Sequence, residues 1–162
     1  MKQNKKLVWV LVFVLTALEQ GIKIIINRYY LQVKVPLVPP WIYFAPLFNR
    51  DYSWINSLLQ LGVGKVVHIM IVVAAIILIY FFYRYVADRY KVTALVGISF
   101  ALFFAGALCS LLDKVFWDGS LDYLLVTGFF TFDLKDAYLN VAVALIVLML
   151  AIDHQGMRTA EF

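Results

Sequence analysis

Residues 92–112 run for twenty-one amino acids without a charge. As an α-helix such a run is ~31 Å long, about one hydrocarbon core of a bilayer. Three further apolar stretches accompany it, at 7–26, 66–83 and 137–152. Backbone in lipid must satisfy its own hydrogen bonds, which restricts stretches of this kind to helices. Composition agrees: 64% of the chain is hydrophobic and 15% is charged, against about a quarter charged in soluble domains. The pattern predicts an all-α integral membrane protein. It is a single domain over 1–162, a four-transmembrane-helix bundle with loops at 27–65 and 113–136.

The net charge of +4 does not mark a nucleic-acid partner, because the basic residues form no stripe. Lys2, Lys5 and Lys6 precede the first apolar run, and Arg84, Arg89 and Lys91 lie between the second and third. Positive charge of this kind marks cytoplasmic segments. Both termini, including the polar tail 153–162, are therefore expected inside, and the loops 27–65 and 113–136 outside. The basic start followed by apolar residues resembles a signal peptide. No small-residue cleavage site follows, however, and Ile22 and Ile24–Ile26 continue the run, so a retained helix is expected. Cys109 is the single cysteine. It allows no internal disulfide, and neither it nor His68 has companions at metal-ligand spacing.

The first loop holds Pro36, Pro39, Pro40 and Pro46 among Trp41, Tyr43, Phe44, Phe48, Tyr52 and Trp54. The prolines forbid a continuous helix. An interfacial subdomain between helices 1 and 2 is expected, with room for short β-strands. Two roles are open for it: an aromatic belt that fixes depth, or a lid and binding surface with Asn49 and Arg50 at its polar centre.

Two carboxylates stand where they are expensive. Asp113 closes the third run and Asp136 opens the fourth, so the two lie at the same depth on one side. Ionisable groups at membrane depth point to function. Two that converge suggest an aspartic dyad sharing one proton. Gly97, Ala101, Ala105 and Cys109 recur every fourth residue before Asp113, and small residues mark a packed helix face in lipid. Asp113 is thus expected to point inward. Asn140, one turn after Asp136, is placed to donate a hydrogen bond to it. Glu19 and Lys23 share a helix face, either as an interfacial ion pair or as electrostatic support at the rim of a site.

These residues, taken in order, resemble the bacterial lipoprotein signal peptidases (signal peptidase II). The family's Asp-Gln-x-x-Lys is matched by Glu19-Gln20-Gly21-Ile22-Lys23, and its Asn-x-Gly-Ala-Ala-Phe by Asn49-Arg50-Asp51-Tyr52-Ser53-Trp54. Its Gly-Gly-Ala-x-Gly-Asn-x-x-Asp-Arg is matched by the stretch from Ala105 to Asp113-Lys114. Val-Asp-Phe/Tyr is echoed by Leu121-Asp122-Tyr123, and Phe-Asn-x-Ala-Asp by Phe132-Asp133-Leu134-Lys135-Asp136. The resemblance implies that Asp113 and Asp136 are the catalytic aspartates, with no metal or organic cofactor. Asn49, Arg50, Glu19, Lys23, Ser110, Asp133 and Asn140 would be substrate contacts or supports. It implies an intramembrane aspartic endopeptidase of the bacterial cytoplasmic membrane, acting near the outer face among membrane lipids. That enzyme would remove signal peptides from diacylglyceryl-modified prolipoproteins, cutting before the lipidated cysteine. Three neighbours depart from the family pattern: Ser110 and Asp133 stand at Asn positions, and Lys135 stands at a small-residue position. They motivate an alternative, a catalytically impaired paralogue that binds lipoprotein or lipid without cutting.

Overall fold

The computed structural model describes residues 2–89, 93–117 and 119–152. Met1, residues 90–92, Asp118 and the tail from Asp153, expected to be cytoplasmic, lie outside them. The described part of each apolar stretch lies in a helix, with Thr93 as the N-cap of one of them. The elements are α1 (Lys2–Tyr29), β1 (Val35–Val38), β2 (Ile42–Asn49), α2 (Trp54–Leu59), α3 (Lys65–Arg89), α4 (Ala94–Leu112), β3 (Ser120–Val126), β4 (Thr131–Phe132) and α5 (Leu134–Ile152). A π-helical turn, Asp113–Trp117, continues α4.

Among the described residues, three helical segments are long and apolar enough to cross a membrane: Lys6–Tyr29, Lys65–Arg89 and Ala94–Trp117. Their outward faces carry bare apolar side chains such as Phe13, Val66 and Leu78, as lipid contact requires. α4 sits at the centre and packs against α1, α3 and α5. Its small residues explain why. Gly97, Ala101, Ala105 and Cys109 are all buried. A Cβ on Gly97 would lie 3.3 Å from Val8 of α1, and one on Gly106 would lie 2.7 Å from Leu139 of α5. The apolar core joins Val8 and Val12 to Phe100, Ala101 and Phe104, with Ile79 and Tyr83 from α3.

The all-α expectation is too narrow. A four-stranded antiparallel sheet, in order β1-β2-β3-β4, caps one end of the bundle. Its strands come from both loops, so the subdomain is not confined to the segment between helices 1 and 2. β2 pairs with β3 through Ile42↔Val126, Phe48↔Leu121 and Asn49↔Ser120. Pairing over that sequence separation leaves no local trace, which is why 113–136 reads as an irregular connection. Close approach is built in at Gly119. Its φ is +148°, and a Cβ there would meet the Asn49 carbonyl oxygen at 2.6 Å. Only glycine lets the chain leave the turn after α4 and enter β3 against β2. The sheet thereby hangs Ser120 and Asp122 over the C-terminal ends of α1 and α4 and the head of α5.

Candidate active site

Four segments converge where the sheet meets the bundle: α1, the turn after α4, β3 and the head of α5. From α1 come Glu19 and Lys23, both with no solvent exposure. Lys23 Nζ lies 3.2 Å from Glu19 Oε1, 2.5 Å from Asp113 Oδ2 and 2.6 Å from Asp133 Oδ2. The pair is thus buried among carboxylates and does not sit at an interface with water. A buried ammonium needs such partners because its desolvation is costly. Gln20 donates to Asp113 Oδ1 at 3.2 Å and accepts from the Trp117 indole at 2.9 Å. Tyr123 of β3 donates its hydroxyl to Glu19 at 3.0 Å and accepts the Leu134 N–H at 3.1 Å. One side chain thus ties sheet, α1 and the head of α5 together.

α5 starts with a reciprocal cap. Asp136 N–H donates to Asp133 Oδ1 at 3.2 Å, and Asp133 N–H donates to Asp136 Oδ2 at 3.3 Å. This is a capping box built from two aspartates. It fixes the Asp136 carboxyl at the helix head. Asp133, at a position where the family pattern has Asn, caps the helix and adds a charge. Asn140 does not reach the Asp136 carboxyl; its side-chain amide donates to the Asp136 backbone oxygen at 2.8 Å. A side chain four residues on meets the preceding turn's carbonyl more readily than a carboxyl directed outward from the helix head.

A cavity of about 770 Å3 opens beside this cluster. Asp122, Asp136, Ser110, Lys114, Ser120 and Lys135 form its polar wall, and Trp54, Val126, Phe130, Phe132 and Val141 its apolar one. Asn49 lines it too, and a smaller adjoining cavity of about 330 Å3 is bordered by Asn49, Arg50, Trp54 and Asp122. Asp113 is fully buried and not part of either wall. The carboxyl that accompanies Asp136 at the cavity is Asp122. Oxygens of Asp122, Asp133 and Asp136 lie within 4.8 Å of one another. Asp113, expected to face Asp136, lies behind the cavity wall against Lys23, while β3, unseen in the sequence, brings Asp122 to the wall beside Asp136. The signal for Asp122 was the Leu-Asp-Tyr echo of Val-Asp-Phe/Tyr.

The Ser110 hydroxyl accepts a hydrogen bond from Lys114 at 3.0 Å and contributes to the cavity wall, while its backbone carbonyl accepts the Asp113 N–H. Asn49 caps its own turn, accepting the Asp51 N–H at 3.1 Å. Its strand partner, Ser120, has its hydroxyl 2.6 Å from Asp122 Oδ1 and 3.2 Å from Asp113 Oδ2. His68 is buried away from the carboxylates, with Nε2 3.1 Å from Ser53 Oγ and Nδ1 3.1 Å from the Gly64 carbonyl.

Lys135 is the least expected member. Its ammonium lies 2.5 Å from Asp133, 3.4 Å from Asp113, 3.5 Å from Asp122 and 3.8 Å from Asp136. It also donates to Ser120 at 2.7 Å. Asp122, Asp133 and Asp136 are spaced as cation ligands are, and this ammonium is the cation they surround. Three carboxyls that precede the apolar span 137–152 are displaced from ordinary values. Burial pushes Asp122 up; Lys135 opposes this and Asp133 adds to it. Burial would also raise Asp133, but Lys135 and Lys23 outweigh it and hold that carboxyl at about 2. Asp136 is pushed up to about 6, by burial first, against Lys135, and with Asp133 and Asp122 adding repulsion. The two that line the cavity, Asp122 and Asp136, are thus both pushed upward, which favours a proton held between them.

The chain as a whole is similar to known proteins. The family model described as signal peptidase (SPase) II matches residues 11–152. A lipoprotein signal peptidase of Anoxybacillus flavithermus (strain DSM 21510 / WK1) is 26% identical over 147 residues, spanning 88% of this chain and 83% of that protein. Two solved structures, described as a bacterial membrane enzyme determined by the in meso method at 2.3 and 1.9 Å resolution, share the fold. The first has a TM-score of 0.76 at 20% identity, covering 97% of this chain and 94% of its own. The second has a TM-score of 0.76 at 19% identity, covering 91% and 94%. With the family match running from α1 to the end of α5, this chain belongs to the signal peptidase II family.

Proposed function

We propose that the chain is an intramembrane aspartic endopeptidase that removes signal peptides from lipid-modified prolipoproteins. The observation that carries this reading is the pair Asp122 and Asp136, whose oxygens approach within 4.8 Å on the wall of a cavity about 770 Å3 in volume. In the proposed reaction one carboxylate takes a proton from water as general base. The other, protonated, polarises the scissile carbonyl and then passes a proton to the leaving amine. Asp113, Glu19 and Lys23 hold the pair from behind. The apolar wall from Trp54 to Val141 suits the acyl chains and signal peptide of a substrate cut before its diacylglyceryl-cysteine. On this reading α5 is the fourth crossing, both termini are cytoplasmic and the sheet lies at the outer face, as loop charge suggests.

The test is cleavage of a lipidated model prolipoprotein by purified protein in bilayer mimetics. Processing at the residue before the lipidated cysteine is expected, and its loss in Asp136→Asn with insertion intact. A fully active Asp136→Asn would end the dyad reading. A second reading, binding without cleavage, is favoured by the Lys135 ammonium standing within 4 Å of both carboxyls. It expects lipopeptide binding by the wild type with no product at any pH.

A further inference from the structure

Lys135 has an unusual position for a lysine at a membrane helix head. Such side chains ordinarily extend toward water. Here it is folded inward and 5% exposed. Its nearest partners, Asp133 and Ser120, lie on the loop before α5 and on β3, so the stem is anchored on both sides. That anchoring leaves the ammonium between the two cavity carboxyls, 3.5 Å from Asp122 and 3.8 Å from Asp136.

Electrostatics then decides what the pair can do. Two carboxyls this close, Asp122 buried and Asp136 half-buried on the same cavity wall, resist double ionisation, so one of them retains a proton well above the usual acid range. An ammonium within 4 Å of both opposes that, because it stabilises the doubly ionised form. Other charges face the same point. From α1, Lys23 contacts Asp133 and Asp113 with Glu19 behind it. From the end of α4, Asp113 lies 3.4 Å from the Lys135 ammonium, and Lys114 stands on the same cavity wall. Asp133 is consumed by the two lysines and by its capping role. Lys135 is the cation that touches both members of the pair.

We propose that Lys135 is a positioning residue that sets the pH range over which Asp122 and Asp136 share a proton, keeping that range on the acid side. This rests on reading the two aspartates as an acid–base pair. On this assignment Lys135 acts through the carboxyls. Burial already holds Asp136 high with the ammonium in place, so withdrawing the ammonium moves the shared proton further toward neutral and alkaline pH.

The experiment uses full-length protein in bicelles, with the variants Lys135→Ala, Lys135→Met and Lys135→Arg. Lys135→Met keeps the stem volume if the alanine variant does not fold. Two readouts are taken: the pH–rate profile on a lipidated model peptide, and carboxyl titration by 13C NMR on aspartate-labelled protein. The alanine and methionine variants should move the alkaline limb, and the upper carboxyl titration, upward by about one pH unit or more. The arginine variant should keep both near the wild-type position. An unshifted upper carboxyl titration in Lys135→Ala or Lys135→Met overturns the assignment, as does an equal shift in Lys135→Arg. Absence of cleavage in every variant counts against the peptidase reading alone, since the NMR titration still decides the role of Lys135.

Discussion

Lys23 and Asp113 meet at 2.5 Å, Nζ to Oδ2, with neither side chain exposed and ninety positions of sequence between them. This contact locks α1 to the end of α4 and fixes the back of the carboxylate cluster. Breaking one side of a buried pair leaves an uncompensated charge, at a cost of about 3–5 kcal/mol. Lys23→Met should therefore lower thermal stability by that order. The double variant Lys23→Met/Asp113→Asn should recover part of the loss. Thermal unfolding in detergent, arranged as a double-mutant cycle, measures the coupling.

Asp122 and Asp113 should separate cleanly in kinetics. Asp122→Asn and Asp136→Asn are expected to lower kcat by at least about 100-fold, with little change in melting temperature relative to Asp113→Asn. Asp113→Asn should lose stability and keep more turnover than either. Side-by-side kcat and unfolding measurements check this. Equal turnover losses without a stability loss in Asp113→Asn would return it to the reacting pair.

The pH dependence has two signs. Asp136 is held up to about 6, led by burial and by repulsion from Asp133 and Asp122. The pair keeps its working proton below that value, so turnover should fall as pH rises through about 6. Asp133 is held down at about 2, Lys135 and Lys23 outweighing burial. Its contribution to stability is present above the ordinary carboxylate value and is lost as pH falls toward about 2. Wild type should thus lose stability on that acid descent, and Asp133→Asn should lose less. A pH–rate profile and unfolding against pH read the two effects separately.

Trp54 lines both cavities and meets Phe130 edge-on, with ring centroids 6.4 Å apart. Its side chain is largely exposed otherwise, so truncation costs the fold little. Trp54→Ala should raise KM for a lipidated substrate several-fold with kcat less affected. An unchanged KM would return Trp54 to the aromatic belt.

Gly106 faces α5 so closely that a Cβ would lie 2.7 Å from Leu139 and 3.1 Å from the Lys135 carbonyl oxygen. Gly106→Val should push α5 away, shift Asp136 and Lys135 together, and reduce both activity and melting temperature. Gly21, with open space around its Cβ position, serves as the control: Gly21→Ala should be silent in both.

Much of the site was legible in the chain, for reasons that can be named. Glu19 and Lys23 announce themselves as charges in an apolar helix, and Asp136 as a carboxylate at the head of one. The small-residue stripe correctly turns Asp113 inward. It could not say that inward, for α4, means toward α1 and Lys23 and away from the cavity. Asp122 lay in plain view but in a segment read as a loop, and without β3 nothing gave it a direction. Lys135 looked like a departure from a family pattern, and its ammonium proved to be the cation within the acidic cluster.

Apolar length determined the helices by itself, because a segment in lipid has no backbone partner other than its own turns. The placement of expensive charges at helix ends marked one end of the bundle as the place of the candidate site. Which carboxyls share that face was decided only by tertiary structure. The β2–β3 pairing swings Asp122 over the cavity, and the Asp133–Asp136 cap aims α5. Burial then gathers Lys23 and Lys135 among five carboxyl groups, those of Glu19, Asp113, Asp122, Asp133 and Asp136. Charges drawn from positions 19 to 136 act on one another at distances of a few ångströms. No local pattern encodes that proximity, because it follows from pairings between segments far apart in the chain.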